Sequence, residues 1–268
     1  MSQNKEKEIK EEKNGGGEKE GAQETVSFGF KEVPVEERQK LVGQVFSNVA
    51  GNYDIMNDAM SLGVHRIWKR EFVLKARLRP GMKCLDVAGG TGDIAMLMAR
   101  GVGDKGDVTV FDINKSMLDV GKERVVDKGF VGPIKFVQGN AEDLPFEDET
   151  FDVATVSFGI RNVTRLEKAF REMTRVVKPG GKVMCLEFSH PTNKLFSQVY
   201  DFFSFNVIPE IGNIIAKDRE SYQYLVESIR KFPDQEKLKK ILEDCGLYKV
   251  KYYNLTNGIA AIHVGYKI

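Results

Sequence analysis

The feature that most constrains this chain is the turn Leu85-Asp86-Val87-Ala88-Gly89-Gly90-Thr91-Gly92-Asp93, set where an apolar run ends and an amphipathic repeat begins. Lys83–Ala88 reads as a buried strand, and Ile94, Leu97 and Met98 recur at helical spacing up to Gly101. The same alternation repeats downstream. Strands are expected at Asp107–Phe111, Ile134–Gln138, Asp152–Ser157 and Lys182–Phe188, with helices between them through Met117–Val125 and Leu166–Val177. Pro179-Gly180-Gly181 ends the last of these helices. Strands alternating with helices predict βαβ units and a doubly wound parallel α/β sheet. A further helix, Asp234–Cys245, is closed by Gly246. Two β-rich runs, Leu247–Asn254 and Ile259–Gly265, join through Thr256-Asn257-Gly258, a strong hairpin signal. The sheet should therefore end in an antiparallel hairpin.

Glycines at 89, 90 and 92 permit a tight turn and close approach of backbone N–H groups to a ligand. Dinucleotide sites use the same device, so the turn alone does not choose a ligand. Asp112 ends the next strand, twenty positions after Gly92, where a carboxylate can accept both ribose hydroxyls or simply cap a helix. Asn140-Ala141, after the third strand, is placed to cover an adenine. The glycine spacing departs from GxGxxG, and with the Asn140 loop this favours an adenosyl methyl donor over NAD. Ser157-Phe158-Gly159-Ile160-Arg161-Asn162 closes the fourth strand, where catalytic side chains would sit.

Two regions frame this core. Residues 28–80 read as a largely helical N-terminal cap, with Val64, Ile67, Trp68 and Phe72 on one face, and 194–224 as an inserted apolar cap. Both should cover the carboxyl edge of the sheet, where ligands bind in open α/β folds. The stretch Leu195–Ala216 admits plain core, a lid, or a groove for an apolar tail; Asp201, Asn206, Pro209 and Glu210 interrupt it and exclude a spanning helix. The first 24 residues carry five lysines, seven glutamates and no arginine, which reads as a solvated tail over 1–27 and neither a presequence nor a signal peptide. With 40 basic and 39 acidic residues, no field of one sign supports nucleic-acid binding. Cys84, Cys185 and Cys245 are scattered without metal-site spacing, so no metal is expected and reduced thiols are.

Several motifs resemble the C-methyltransferases of ubiquinone and menaquinone biosynthesis: Val87–Asp93, Phe158–Val163 and Lys178–Gly181. Tyr53–Asp58, Ser61–Lys69 and Ser221–Ile229, which general methyltransferases lack, match as well. The resemblance covers about Phe28 to the C-terminus and looks nearest to the eukaryotic branch, whose acceptor is 2-methoxy-6-polyprenyl-1,4-benzoquinol. It implies a seven-stranded Rossmann-like sheet with an antiparallel last strand and S-adenosylmethionine as co-substrate. It also implies donor contacts from Thr91, Asp112, Asn140, Ala141 and Ser157, with Gly89, Gly90 and Gly92 lining the methionine end. A polyprenyl quinol substrate, peripheral membrane contact, a complex with other quinone-biosynthesis proteins, a homodimer and the matrix face of the mitochondrial inner membrane follow from the same resemblance. The acidic N-terminus departs from a presequence and leaves a cytoplasmic setting as the alternative.

Ring methylation needs the reduced quinol and a base or polarised water near its hydroxyl. Arg161 is the first candidate, to hold a water or stabilise a phenolate, against a plain salt bridge. Tyr53 from the N-terminal cap and His65 as a near-neutral base are the others, each weighed against structural packing. Tyr222 and Tyr224 are candidates for the quinol pocket but cannot both face it from one helix. A NAD-dependent oxidoreductase, a noncatalytic scaffold and a demethylmenaquinol methylase are the competing functions.

Overall fold

The computed structural model describes residues 24–49, 57, 58, 61, 63–130 and 132–268. A two-stranded hairpin, β1 (Thr25–Phe28) and β2 (Lys31–Pro34), leads into α1 (Val35–Val49), and α2 (His65–Ala76) precedes the main sheet. There follow β3 (Lys83–Val87), α3 (Asp93–Val102), β4 (Asp107–Asp112), α4 (Lys115–Asp127), β5 (Ile134–Gln138), β6 (Phe151–Ser157), α5 (Leu166–Val176) and β7 (Val177–Phe188). The chain closes with α6 (Lys194–Phe202), α7 (Ile208–Ala216), α8 (Arg219–Lys231), α9 (Gln235–Asp244), β8 (Tyr248–Leu255) and β9 (Ala260–Tyr266).

Seven strands form one sheet in the order β5-β4-β3-β6-β7-β9-β8, with β9 antiparallel to both neighbours. The central strands are covered on both faces, which is why they read as largely apolar runs. One core joins Trp68, Phe72, Met98 and Leu225 to the sheet; the other joins Phe111, Phe170, Met173 and Leu242. The doubly wound sheet with its C-terminal hairpin is the architecture expected from the alternation. Cys84, Cys185 and Cys245 are all buried free thiols.

Three details differ from the sequence reading. Residues 25–34 form a hairpin, so regular structure lies inside the stretch assigned to the tail, and residues 1–23 lie outside the described residues. Val26 and Phe28 are too brief an alternation to stand out beside the charged run. What holds the hairpin is tertiary: Phe28 stacks on Tyr224 at 4.2 Å and Arg38 Nε donates to the Ser27 carbonyl at 2.7 Å. Second, β7 starts at Val177, and Pro179-Gly180-Gly181 lies within it as an irregularity. Gly180 takes φ +78° and its N–H donates to the Lys267 carbonyl, while the Lys267 N–H donates to the Gly181 carbonyl. Third, a π-helical turn over Phe203–Val207 joins α6 to α7. Pro209 supplies no N–H and crowds the carbonyl four residues back, so the helix widens one turn earlier. No helix among the described residues is long and apolar enough to cross a membrane.

Candidate active site

The turn after β3 is built by backbone conformations that few side chains tolerate. Ala88, Gly90 and Gly92 all have positive φ, at +50°, +50° and +78°. Ala88 is the unusual one, and it fits because Gly159 faces it: a Cβ on Gly159 would stand 2.6 Å from that of Ala88. The Gly90 N–H donates to Asp112 Oδ2 at 2.9 Å, and the Asn114 N–H donates to Asp112 Oδ1 at 2.8 Å. Asp112 is therefore the strut of the turn, and the helix cap is Asn114, whose side chain accepts from Met117 N. Burial pushes the Asp112 carboxyl up to about 6. The Asn114 amide also reaches the Gly43 carbonyl and Ser47, which fixes α1 above the turn.

Between α1 and the sheet edge lies a partly open cavity. Gln39, Val42 and Phe46 roof it, Gly90 and Asp112 form its floor, and Ala141, Val163 and Phe111 make its apolar walls. Of the two carboxylates that line it, Glu142 accepts from the Arg165 N–H at 3.1 Å, and Asp112 beside an apolar slot and a glycine turn suits a nucleoside: Asp112 for the ribose hydroxyls, the slot for the base. A further carboxylate waits beneath the turn. Asp86 is buried, its Oδ1 accepts from Thr155 Oγ1 at 2.9 Å, and its Oδ2 has no partner among the described residues. Burial raises its pKa to about 7. That free oxygen is suited to an incoming cationic amine, as on the methionine end of a sulfonium donor. A lone acid inside the apolar run Cys84–Val87 is the signal that marks it.

Of the donor residues expected from sequence, Gly90, Asp112, Asn140 and Ala141 line the cavity, while Gly89, Thr91, Gly92 and Ser157 do not. The Asn140 carbonyl oxygen of the side chain accepts from Glu142 N at 3.0 Å and shapes the loop. The Gly89 N–H is spent on the Phe111 carbonyl and that of Gly92 on the Gly89 carbonyl. Thr91 is buried, its hydroxyl accepting from Arg124 Nη1 at 2.7 Å. Arg124 and Lys69 also bracket Asp93, at 2.8 Å each. Burial opposes the Asp93 carboxylate, but these two cations outweigh it and hold its pKa below the usual range. Ser157 Oγ is buried without a partner among the described residues.

Beside the cavity, the turn after β6 gathers a polar cluster. Arg161 Nη1 donates to the Phe158 carbonyl at 2.6 Å and to Glu187 Oε1 at 2.7 Å, and its Nε donates to Ser228 Oγ at 3.3 Å. Both side chains of the Arg161–Glu187 pair are 1% exposed. Arg161 thus sits in a salt bridge and does not line the cavity. Its neighbour Asn162 does line it, accepting from Tyr224 OH at 2.9 Å and leaving its own Nδ2 without a partner among the described residues. Arg38 from α1 clamps this turn by donating to the Asn162 and Arg161 carbonyls. Asn162, Glu187 and Arg38 were not singled out from sequence; only Glu187, an acid in the apolar run Met184–Phe188, carried a visible signal.

His65 is buried, and its Nε2 is bound to Asp58 Oδ1 at 2.9 Å. Burial, then Lys69, lower its pKa, so the ring is neutral at pH 7 and anchored at the start of α2. Tyr53 lies outside the described residues. Both tyrosines of α8 are buried, on different sides: Tyr224 joins the Asn162 cluster, and Tyr222 packs over Gly212, where a Cβ would meet its ring at 2.4 Å.

The model of the ubiE/COQ5 methyltransferase family matches residues 25–267. A curated protein of Francisella philomiragia, a "Ubiquinone/menaquinone biosynthesis C-methyltransferase UbiE", is 55% identical over 243 residues, covering 91% of this chain and 97% of its own. One of the same description from Idiomarina loihiensis is 51% identical over 245 residues, 91% of this chain and 98% of its own. Among solved structures, an S-adenosylmethionine-dependent methyltransferase of Aquifex aeolicus aligns with TM-score 0.58 at 19% identity, over 80% of this chain and 97% of its own. The [4+2]-cyclase SpnF aligns with TM-score 0.63 at 16% identity, over 86% and 96%. These two likenesses are of fold alone, and SpnF shows that the fold serves more than one chemistry.

Proposed function

The chain belongs to the ubiE/COQ5 methyltransferase family, an S-adenosylmethionine-dependent C-methyltransferase of quinone biosynthesis, and on that premise we propose that its acceptor is a polyprenyl benzoquinol, 2-methoxy-6-polyprenyl-1,4-benzoquinol. The observation that carries the proposal is the pairing of the donor cavity with the buried polar cluster beside it. Asn162 belongs to both, and it offers an unpartnered Nδ2 one residue from the Arg161 guanidinium. A phenol ring needs such a combination: apolar walls for the ring, and polar atoms at the hydroxyl.

In this reading Asp112 holds the donor ribose, Asp86 its amine, and the Asn140-Ala141 loop its adenine. The methyl group attached to the sulfonium is electrophilic, so the chain's own task is to place the ring carbon in line behind it and to favour the ionised hydroxyl. Arg161 stabilises the developing phenolate by its charge, and Asn162 orients the hydroxyl. Donor and acceptor bind in adjoining spaces at one sheet edge.

In the inserted cap Tyr200 and Ile208 are buried, whereas Phe202 is 67% and Ile214 79% exposed. We assign those two, with Phe30 at 54%, to contact with the prenyl tail or a bilayer surface. Assembly with other quinone-biosynthesis proteins and a homodimer remain part of the proposal. The two relatives named above are bacterial, which suits the cytoplasmic alternative and gives the mitochondrial setting no support.

The test is competition between short-chain 2-methoxy-benzoquinol and demethylmenaquinol analogues, both kept reduced, for methyl transfer by the purified protein. A kcat/KM ratio of at least about tenfold, or 1.4 kcal/mol, in favour of the benzoquinol is expected. The reverse ratio assigns the acceptor to the naphthoquinol branch.

A further inference from the structure

Glu187 stands where a carboxylate is least expected. It occupies the next-to-last position of β7, between Leu186 and Phe188, both fully buried, and is itself 1% exposed. An acid kept in such a strand is paired or used. It is only half paired. Oε1 accepts from Arg161 Nη1 at 2.7 Å and from the Phe188 N–H at 2.9 Å, while Oε2 has no partner among the described residues. A guanidinium built for structural pairing would meet both carboxylate oxygens in a fork. Here the side-chain donors of Arg161 are divided among Phe158, Ser228 and one oxygen of Glu187, and the other oxygen has no partner among the described residues.

Strand register puts Glu187 at the right edge, although neither it nor Arg161 lines the donor cavity. Leu186 pairs with Ser157 across β6–β7, so Glu187 lies one residue beyond, at the carboxyl edge. The donor turn after β3 is two strands away, about 10 Å at ordinary strand spacing. Two other buried polar atoms without partners among the described residues, Ser157 Oγ and Asn162 Nδ2, belong to the same edge. The rival base, His65, spends its Nε2 on Asp58.

We propose that Glu187 is the general base of the methyl transfer, its Oε2 accepting the proton of the quinol hydroxyl; this rests on the quinol reading above. The hydroxyl proton passes to Oε2 as the ortho carbon bonds to the methyl group, and the sulfur–methyl bond breaks with its electron pair left on sulfur. The ring carbon then loses its own proton to water, and the oxygen recovers its proton from Glu187. The net products are methylated quinol, a neutral thioether and one proton. Burial opposes ionisation of Glu187 and outweighs the attraction of Arg161, so its pKa is raised toward the range where a base works best. Arg161 is the charge that faces it directly. Cys185 on its own strand is the neighbouring titratable group, while Tyr200 of α6, Tyr224 of α8 and Arg38 of α1 act on it through Arg161 or its turn.

The test uses Glu187→Gln in the full chain with two readouts. In turnover, kcat should fall about 100- to 10,000-fold, with KM for the quinol and affinity for the donor within about threefold of wild type. The variant's rate should climb with pH where wild type has reached a plateau, and a more acidic quinol should restore the variant more than wild type. In binding, a redox-inert nitrophenol is titrated by calorimetry in two buffers with S-adenosylhomocysteine present. Wild type should bind it as phenolate without releasing a proton to buffer, whereas the variant, which lacks the acceptor, should release one. Equal proton counts, or a lowered kcat with an unchanged pH profile, overturn the assignment and leave Glu187 a structural counterion. If melting shows Glu187→Gln unfolded, Glu187→Asp keeps the charge with shorter reach and must show the same kcat loss; wild-type kcat there also overturns it. If wild type methylates no quinol, the acceptor reading fails, and the proton count still decides on Glu187.

Discussion

Gly121 in α4 offers a contest between two effects of known size. As a glycine inside a helix it costs about 1 kcal/mol relative to alanine, so Gly121→Ala should stabilise on propensity alone. Packing says the opposite. A Cβ there would stand 2.8 Å from the Phe136 ring, 2.9 Å from the Gly90 carbonyl oxygen and 3.2 Å from the Thr91 carbonyl carbon. The Phe136 ring can tilt; the other two atoms are backbone of the donor turn, already fixed by the Gly90–Asp112 bond. Overpacking of this kind costs about 1–3 kcal/mol, and the helical gain offsets only part of it. The net loss expected is about 1 kcal/mol, a fall in Tm of roughly 2–4 °C for a chain of this size. Because those atoms belong to the turn that places Gly90 on the cavity floor, affinity for the donor should fall about tenfold, 1.4 kcal/mol, by titration calorimetry. A Gly121→Ala protein more stable than wild type, with donor affinity unchanged, would falsify the view that α4 is pressed against the turn.

Asp112→Asn should weaken donor binding about 100-fold or more, since charge-assisted bonds are worth about 1.5–3 kcal/mol each. The wild-type affinity should drop as pH falls through about 6, where Asp112 takes up a proton, and the variant should lack that limb. Because the folded pKa is raised, ionised Asp112 costs stability; wild type should lose ground to the variant as pH rises from the ordinary carboxylate range to about 6, then hold level. Lys69→Met leaves Asp93 with Arg124 alone and should cost about 1.5–3 kcal/mol by urea midpoint at constant slope. That deficit should shrink in acid, since the depressed Asp93 pKa stabilises only above its folded value; a deficit constant with pH refutes the network. Gly159→Ala should be strongly destabilising, whereas Ala88→Gly relieves about 1 kcal/mol of left-handed strain and should rescue it in the double variant. Additive effects would mean the two Cβ positions do not meet.

The parts of the molecule legible in sequence are those whose signal is local. The strands Lys83–Val87 and Ile134–Gln138 are short apolar runs bounded by glycine and proline, and Asp234 caps its helix with the side chain its type predicts. Asp112 was legible because a strand end and a glycine turn fix its distance from the ligand. What was not legible depends on chains meeting in space. Arg38 clamps a turn 123 residues away, and the N-terminal hairpin is held by Tyr224. The roles of Gly89, Thr91 and Gly92 could not be sorted by spacing, since which N–H faces the cavity depends on bonds to β4 and α4. Arg161 presents the sharpest case. Its place after β6 was readable, but its partner Glu187 comes from another strand, so that the guanidinium is held in a buried pair could not be read from its own segment.

In the proposed reaction a methyl group passes from the sulfonium donor to a ring carbon of a reduced quinol at the β6–β7 edge. The most direct measurement supplies donor labelled with deuterium in its methyl group, together with a reduced short-chain benzoquinol, and locates the label by mass spectrometry and NMR. The label should appear on the ring carbon ortho to a hydroxyl, with the oxidised quinone inert under the same conditions. Label on an oxygen, or transfer to the quinone as fast as to the quinol, would contradict the account.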